Sequence, residues 1–391
     1  MKKFISLFMA FMMVFSCAAL AEDAEADQTT SPLKTGIGNQ LGFELLRHTY
    51  LCEQQALISP TSLTFALSMA AAGAQGETRE QILNALDVEE LSMDELRALT
   101  DSLTVRGVKV ANAAFIYENI NPKEEYLSSL VNSLDAEIFL FEQMHSVLYE
   151  INEWAREKTD GMIDAILDGK PDPSLAMVLI NALAMDANWM FPFSTDSTST
   201  GVFHSVSSDI ETEFMHSTRF LHYIKGDTFQ AVNLPYENEA LNMLVILPDE
   251  GCMYDTLDTL VENGLSLFEG MAQKRVSLAL PKVDISASLE LAESLQTLGI
   301  ELPFTTMADF SGMVEGTPLY IGGVTQAVTL TVNESGTRAA AATAISMMAG
   351  GAMIADLPID MTVDRPYIML VYDQETNSIL FAAAISDPTA S

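Results

Sequence analysis

Side chains that can perform covalent or metal chemistry are few and scattered in this chain. No Cys/His cluster has the spacing of a zinc site. The G-x-S-x-G and H-E-x-x-H motifs, the P-loop and the dinucleotide-binding fingerprint are all absent. Acidic residues are so abundant that paired carboxylates can occur anywhere by chance. We therefore expect neither an enzyme nor a bound metal or cofactor. The histidines are His48, His145, His204, His216 and His222.

The segment 334–354 is unusual because it combines a run of alanines with methionines and glycines. Its composition fits a surface helix, a flexible linker or a segment that can become a strand. In a strand, alternate side chains point to opposite faces. One face would then be small and uncharged at its start, with Arg338 on the other face, and Gly336 would supply a flexible joint. The first face comprises Thr337, Ala339, Ala341, Thr343, Ile345 and Met347.

Helical spacing of apolar residues predicts the elements of the first part of the chain. One helix covers residues 37–54. A second starts at Ser59-Pro60-Thr61, where proline suits the first helical turn. A turn at residues 73–76 precedes a third helix. Residues 151–167 predict a helix, a turn and a second helix start.

Strand-like runs dominate the second half of the chain. Because helices come first and strands later, without βαβ alternation, we predict an α+β fold with large antiparallel or mixed sheets. The predicted strands are residues 108–117, 175–189, 229–234, 241–247, 276–280, 319–334, 367–372 and 379–385.

Residues 1–21 are typical of a secretory signal peptide. Lys2 and Lys3 precede an apolar run that ends at Ala19-Leu20-Ala21. A membrane anchor and lipid attachment at Cys17 are the alternatives, but the run is marginal for a span and Phe15 fits a lipid-attachment motif poorly. We expect cleavage after Ala21, a flexible leader at 22–36 and a secreted domain at 37–391.

The chain carries 54 acidic and 19 basic residues, a net charge of −35. Such a chain repels nucleic acid and anionic membranes, which argues against phosphate-binding functions. Solubility is a sufficient reason for the charge. After removal of Cys17 with the signal, Cys52 and Cys252 remain. They allow one disulfide but do not indicate one.

Residues 333–343, NESGTRAAAAT, closely resemble the hinge of the serpins, N-E-x-G-T-E-A-A-A-A-T. Other serpin-like motifs follow the family's order, and the resemblance covers about residues 37–387. Each motif is weak alone, but ten in order are specific. The hinge is one of the ten, and the other nine are LISPTS at 57–62, GAQGET at 73–78, VANA at 110–113, INEW at 151–154 with TDGMI at 159–163, NA at 181–182 with Trp189, LPY at 234–236, ILP at 246–248, ADFSG at 308–312 and DRPY at 364–367.

The resemblance implies one α+β domain with three β-sheets, eight or nine helices and an exposed reactive-centre loop. It also implies a monomer that inhibits a serine protease through a covalent acyl-enzyme complex. The protease cuts the loop, and the cut loop inserts into sheet A as a new strand before the ester hydrolyses. Arg338 replaces the family's usual glutamate on the outward face. The hinge positions that fit an inhibitor are Glu334, Gly336, Thr337, Ala339, Ala341 and Thr343.

The resemblance also assigns residues to the shutter and breach of sheet A, the regions where that sheet opens. These are Ser59, Ser62, Asn181, Trp189 and Gln326. Gln326 stands where most serpins have a histidine. An amide donates and accepts hydrogen bonds much as imidazole does, but we expect its hydrogen-bond network to differ.

Family spacing from Glu334 places the scissile bond at Gly350-Gly351. Glycine is a poor primary residue for most serine proteases, so Met348, Ala349, Met353 and Ile354 stay candidates. Apart from Arg338, no Lys or Arg lies between Thr337 and Asp364, which disfavours trypsin-like targets. Met, Ala and Ile suit elastase-like pockets. An inhibitor of papain-like cysteine proteases and a non-inhibitory secreted binding serpin are the alternatives.

Overall fold

The computed structural model describes residues 36–167, 176–337 and 357–390, without the side chains of residues 144 and 145. The predicted signal peptide and all of the predicted leader but Gly36 lie outside the described residues. So do the hinge positions Ala339, Ala341 and Thr343, together with the scissile-bond candidates Met348, Ala349, Gly350, Gly351, Met353 and Ile354.

Eight α-helices and three short 3-10 helices lie within the described ranges. The start of α2 follows from local chemistry, because the Ser59 hydroxyl accepts the Ser62 N–H at 3.3 Å and Pro60 occupies the first helical turn. The α-helices are α1 Asn39–Glu53, α2 Pro60–Gly73, α3 Gly76–Ala85, α4 Met93–Val105, α5 Glu124–Leu134, α6 Met144–Lys158, α7 Met253–Asn263 and α8 Ala292–Thr297. The 3-10 helices are Thr195–Ser197, Gly264–Phe268 and Leu302–Phe304.

The same ranges contain sixteen strands in three sheets, which confirms the predicted fold class. The strands are β1 Ala56–Ile58, β2 Val108–Tyr117, β3 Glu137–Phe141, β4 Met177–Met185, β5 Ala187–Asn188, β6 Ser199–His204, β7 Asp209–Lys225, β8 Phe229–Pro235, β9 Leu241–Pro248, β10 Ala272–Pro281, β11 Val283–Glu290, β12 Thr325–Val332, β13 Gly336–Thr337, β14 Ile359–Thr362, β15 Tyr367–Asp373 and β16 Ser378–Ile385.

The largest sheet has nine strands in the order β1-β16-β15-β9-β8-β7-β10-β14, with β6 paired to β7. Every residue of β9 and β16 is buried, because α1 and α2 pack against β16 and the strands lie inside the main hydrophobic core. This sheet supplies a continuous, rigid centre for the fold.

The two smaller sheets adjoin each other but are not fully joined. One has the order β3-β2-β4 and the other β11-β12-β13-β5. Strands β4 and β5 are consecutive along the chain and separated only by Asp186. Within the described residues, β4 forms no strand pairing with β12. We call the space between β4 and β12 the gap, and its end at β13 the closed end.

Two element predictions were wrong. After α6, residues 159–167 form turns instead of a second helix, since the Asn152 side chain holds the N–H groups of Ile166 and Leu167 at 2.9 and 3.0 Å. Residues 319–324 precede β12 without joining it.

Two further observations concern the cysteines and the helices. Cys52 and Cys252 are both free thiols. Among the helices of the described ranges, none is both long enough and apolar enough to cross a membrane.

Candidate functional site

The closed end of the gap is formed by the beginning of the predicted hinge. After β12 the chain reverses at Glu334 and Ser335 and returns as β13. Strand β13 pairs antiparallel with β12 through Val332 and Thr337, and antiparallel with β5 through Gly336 and Thr337. The Asn333 side-chain oxygen accepts the N–H groups of Ser335 and Gly336 at 2.9 and 3.3 Å, which shapes the reversal. Two hinge residues therefore already lie between the strands on either side of the gap.

Gly336 is required by a close approach between strands. A Cβ atom at this position would lie 2.0 Å from the Ala187 carbonyl oxygen and 2.8 Å from the Asn188 Cα. Both contacts are with backbone, so a side chain could fit only if β5 moved. The sequence predicted a flexible joint here, and the structure adds this steric reason for glycine.

Thr337 is buried and bonded to one ring of an aromatic pair. Its hydroxyl is hydrogen-bonded to the Tyr236 hydroxyl, and burial raises the pKa of Tyr236, which keeps the phenol protonated. The Tyr236 ring stacks on Trp189 with ring centroids 4.5 Å apart. Trp189 donates its indole N–H to the Asn333 carbonyl at 2.9 Å and its backbone N–H to Ser335 at 2.8 Å. These contacts hold the hinge at the closed end.

Glu334 anchors the reversal electrostatically. Its carboxylate lies 2.9 Å from the Lys282 ammonium and accepts the Thr198 hydroxyl at 2.7 Å. Burial alone would raise the pKa of Glu334, but the bonds from Lys282 and Thr198 outweigh it and lower the pKa below its usual value. Lys282 also pairs with Glu213 at 2.9 Å. Glu334 is therefore a charged anchor at neutral pH, held by Lys282 and Thr198.

A cleft follows Thr337 along the gap. Its space free of protein atoms is about 340 Å³, which includes a part open to solvent. Residues 162 and 163, from the turns after α6, contribute to its lining. The cleft thus runs between the edges of β4 and β12, in line with β13. Its lining comprises Met162, Ile163, Leu183, Ala184, Met185, Thr329, Thr331, Thr337 and Phe381.

The predicted shutter residues form two separate groups. The Gln326 amide pairs with the backbone of Ser59, accepting its N–H and donating to its carbonyl, both at 2.9 Å. Asn181, across the gap, donates instead to the Asn112 side chain at 2.9 Å. In the part of the chain that the structure describes, the buried Oδ1 of Asn181 has no hydrogen-bond partner. The structure therefore places the glutamine and the asparagine on opposite sides of the gap.

Sequence reasoning missed several residues of the closed end. Lys282 and Thr198 belong to none of the motifs, and they reach Glu334 only through tertiary structure. Tyr236 was part of a motif, but nothing in the sequence indicated its bond to Thr337. Lys282 follows directly after β10, but lysines and glutamates are too common for the sequence alone to have identified this ion pair.

Comparisons with known proteins agree with this architecture. The sequence model of the family described as Serpin (serine protease inhibitor) matches residues 37–388. The fold and the partly filled gap therefore define a serpin-type protein, and the chain belongs to the serpin family.

Individual relatives are of modest identity but match along most of their length. An uncharacterized serpin-like protein of Thermococcus kodakarensis is 32% identical, over 90% of this chain and 84% of that protein. Iripin-8 of Ixodes ricinus is 29% identical, over 94% and 96%. The native structure of tengpin, a thermophilic serpin, superposes with a TM-score of 0.80 at 28% identity, covering 94% of this chain and 96% of that one.

A further structural neighbour shares the fold at lower sequence identity. Human thyroxine-binding globulin, in complex with thyroxine, has a TM-score of 0.82 at 23% identity and covers 90% of this chain and 98% of that one. At this identity the likeness concerns the fold alone. Serpins are generally protease inhibitors and not enzymes, although some family members are non-inhibitory binding proteins.

Proposed function

We propose that this protein is a secreted, monomeric inhibitor of serine proteases that acts as a suicide substrate. The protease's serine hydroxyl adds to the carbonyl carbon of a bond within residues 348–355. The C–N bond breaks, the amine leaves with the proton lost by the serine, and an ester joins the two proteins. The cut segment then enters the gap as a strand. The observation that carries the proposal is the pairing of Gly336 and Thr337 with strands on both sides of the gap.

The register at Thr337 defines where each later residue would lie. Thr337 is opposite Val332 on one side and Ala187 on the other, and both pairings are antiparallel. Each step forward along the inserted strand is therefore one step backward along β12 and β4. Ala339 would lie between Leu330 and Met185, and Ala341 between Val328 and Leu183.

These positions explain why the inward hinge residues are small. The four side chains flanking Ala339 and Ala341 are nearly fully buried, at 1 to 4% exposure. An alanine adds little volume between them, whereas a charged or long side chain would have to be desolvated in an apolar site. The sequence from Thr337 to Thr343 therefore favours insertion over rejection.

Thr343 would complete the two separate shutter groups. By the same register it would lie between Gln326 on β12 and Asn181 on β4. Its hydroxyl would face the Oδ1 of Asn181, which has no partner among the described residues. A threonine there would satisfy a buried acceptor that costs stability in the uncut protein. Insertion would thus improve hydrogen bonding at the middle of the sheet.

The residues after Thr343 favour elastase-like targets, because methionine, alanine and isoleucine suit small and medium apolar pockets. The second candidate within the family is an inhibitor of papain-like cysteine proteases, in which the same loop would form a thioester. A non-inhibitory secreted binding protein is the third candidate. The small inward hinge side chains favour an inhibitor over this last one.

The test is to incubate the chain from residue 22 onward with pancreatic elastase and analyse the mixture on a denaturing gel. A covalent band at the summed masses would support the inhibitory mechanism. The first residue of the released C-terminal peptide, read by mass spectrometry, would identify the scissile bond. Clean cleavage without a complex, repeated with subtilisin, chymotrypsin and papain, would reject inhibition in favour of a binding role.

A further inference from the structure

An exposed patch lies on the outer face of the nine-stranded sheet, on strands β7 and β10. Phe220 and Arg275 are directly opposite partners across these strands, so their side chains share one face. Phe220 is 69% exposed, which is unusual for a phenylalanine, and Arg275 is also exposed. The next pair on the same face, His222 and Gln273, is exposed as well. We call these four residues the outer-face patch.

The patch lies where the predicted reactive loop rejoins the fold. Strand β14 begins at Ile359, which is paired with Val276, the neighbour of Arg275. Leu357, two residues earlier, is 93% exposed. The last scissile-bond candidate, Ile354, precedes Leu357 by three residues, a span of at most about 11 Å. A protease that holds this loop in its active site would therefore stand over the end of β10.

The charge of the patch contrasts with the rest of the protein. The chain has 54 acidic and 19 basic residues, yet the outer-face patch has no carboxylate. Within the described ranges Arg275 forms no ion pair. The carboxylate on the same face of the sheet is Asp360, which lies opposite Ser277, one pair further along. Residues 335–355 contain no Asp or Glu, and Asp356, the next residue, lies outside the described residues.

We propose that the outer-face patch is a second contact surface for the target protease, separate from the reactive loop. It would bind a protease surface that presents a carboxylate beside an apolar side chain, close to the subsites that hold the residues after the scissile bond. Arginine and aromatic residues are both enriched at protein interfaces relative to the rest of the surface. This inference rests on the proposed inhibitory function, because the loop is what brings the protease to this face.

The patch should act on encounter and not on insertion. Its residues lie on a different sheet from the gap and do not line the cleft. A charge at the rim of an interface mainly changes the association rate and its salt dependence. Replacing Arg275 or Phe220 should therefore slow formation of the covalent complex without changing the fraction of cleaved molecules that end as complex.

The experiment measures the second-order rate of covalent complex formation with pancreatic elastase, chymotrypsin and subtilisin, using the fastest reaction for the variants. The variants are Arg275→Glu, Phe220→Ala and, as a matched control, Lys274→Glu. Lys274 is exposed like Arg275 but is paired with Leu221, so it faces the opposite side of the sheet. Each rate is measured at about 0.01 M and about 1 M salt, where the Debye length is about 30 and about 3 Å.

We expect Arg275→Glu to lower the rate at least about threefold at low salt and to lose most of this effect at high salt. Phe220→Ala should lower the rate at both salt concentrations, and Lys274→Glu should stay within about twofold of the unchanged protein. Equal effects of Lys274→Glu and Arg275→Glu, or no effect of either patch variant, would overturn the proposal. A protein that dimerises through Phe220 in the absence of protease would also overturn it. If no protease forms a covalent complex, the proposed function itself is wrong.

Discussion

The two ends of the gap differ in how completely their polar groups and side chains are satisfied. At the closed end, Thr337 is buried and bonded to Tyr236, which stacks on Trp189, and Glu334 is paired with Lys282. Further along, β4 and β12 are unpaired within the described residues, and Asn181 leaves a buried oxygen without a partner. Among the described residues, one end is a finished sheet, and the other leaves a strand position between β4 and β12 without a strand.

This difference indicates the direction in which the gap would fill. Strand pairing extends most easily from an existing pair, because the register is already set and no further loop has to be closed before the next residue pairs. The closed end supplies that starting pair at Thr337. Under the proposed mechanism, the loop's attachment at β14 would hold back insertion until the loop is cut.

The largest expected effect comes from charging the inward face of the inserting strand. Ala341→Glu would place a carboxylate between Val328 and Leu183, where burial of an unpaired charge costs several kcal/mol. Insertion would then lose the competition with ester hydrolysis. We expect covalent complex to fall at least about tenfold, since about 1.4 kcal/mol in a barrier is a factor of ten in rate. Densitometry of complex against cleaved protein measures this ratio.

Arg338→Glu is the matched control, because it places the same carboxylate on the opposite face, where the register sets it beside Thr331 and the exposed Asp186. It should form complex nearly as well as the unchanged protein. The register of the inserted strand would be wrong if Arg338→Glu abolished the complex and Ala341→Glu did not. Equal loss in both variants would mean that charge anywhere in the loop is harmful.

The next effect tests the closed end itself. Gly336→Ala would bring a methyl group against the backbone of Ala187, and overpacking of this kind costs about 1–3 kcal/mol. We expect a lower free energy of unfolding in denaturant titrations of the uncut protein. Gly322→Ala is the control, because a Cβ there has no heavy atom within 4 Å. A variant at Gly336 as stable as the one at Gly322 would show that β13 does not lie between β12 and β5 in solution.

The sequence predicted the framework better than the contacts at the gap. Ser59 and Pro60 fixed the start of α2, and the alternating pattern of residues 108–117 gave β2 with its observed bounds. Local chemistry decides such features. The pair Lys282–Glu334 joins residues far apart in the chain, and the separation of Gln326 from Asn181 depends on where two strands stop pairing. No local pattern encodes either.

The stability that Glu334 contributes at the closed end should depend on pH. The pKa of Glu334 is lowered in the folded protein, so its contribution to stability is present above the ordinary value of 4.5 and disappears as the pH falls through the lowered pKa. Glu334→Gln removes the charge and keeps the shape. At neutral pH we expect the variant to be less stable by about 1 kcal/mol, since the Lys282 side chain is 31% exposed and also pairs with Glu213.

Denaturant unfolding of both proteins near neutral pH and at about pH 3 checks this sign. The difference should shrink as the pH falls, and it should disappear once the pH is below the lowered pKa of the carboxyl group. A difference that persisted unchanged in acid would show that Glu334 acts through packing or through Thr198, and not through its charge.

The smallest effect concerns Arg338 after cleavage, when the inserted strand would extend the closed end toward the open one. The register places Arg338 opposite Thr331 on β12 and opposite Asp186 between β4 and β5, on the outer face of the sheet. Asp186 is exposed, so an ion pair there would contribute only about 0.2–1 kcal/mol. Arg338→Asp and Asp186→Arg should each destabilise the elastase-cleaved protein, and the double variant should recover part of the loss. The double-mutant cycle, measured by guanidinium unfolding of the cleaved form, isolates the pair.

The other nearby carboxylate is Asp284, which accepts the Thr331 hydroxyl at 3.0 Å. If Arg338→Asp couples with Asp284→Arg and not with Asp186→Arg, the partner of Arg338 is Asp284. No coupling at either aspartate would mean that Arg338 does not enter the sheet in this register, and that the closed end does not extend as the pairing of Thr337 indicates.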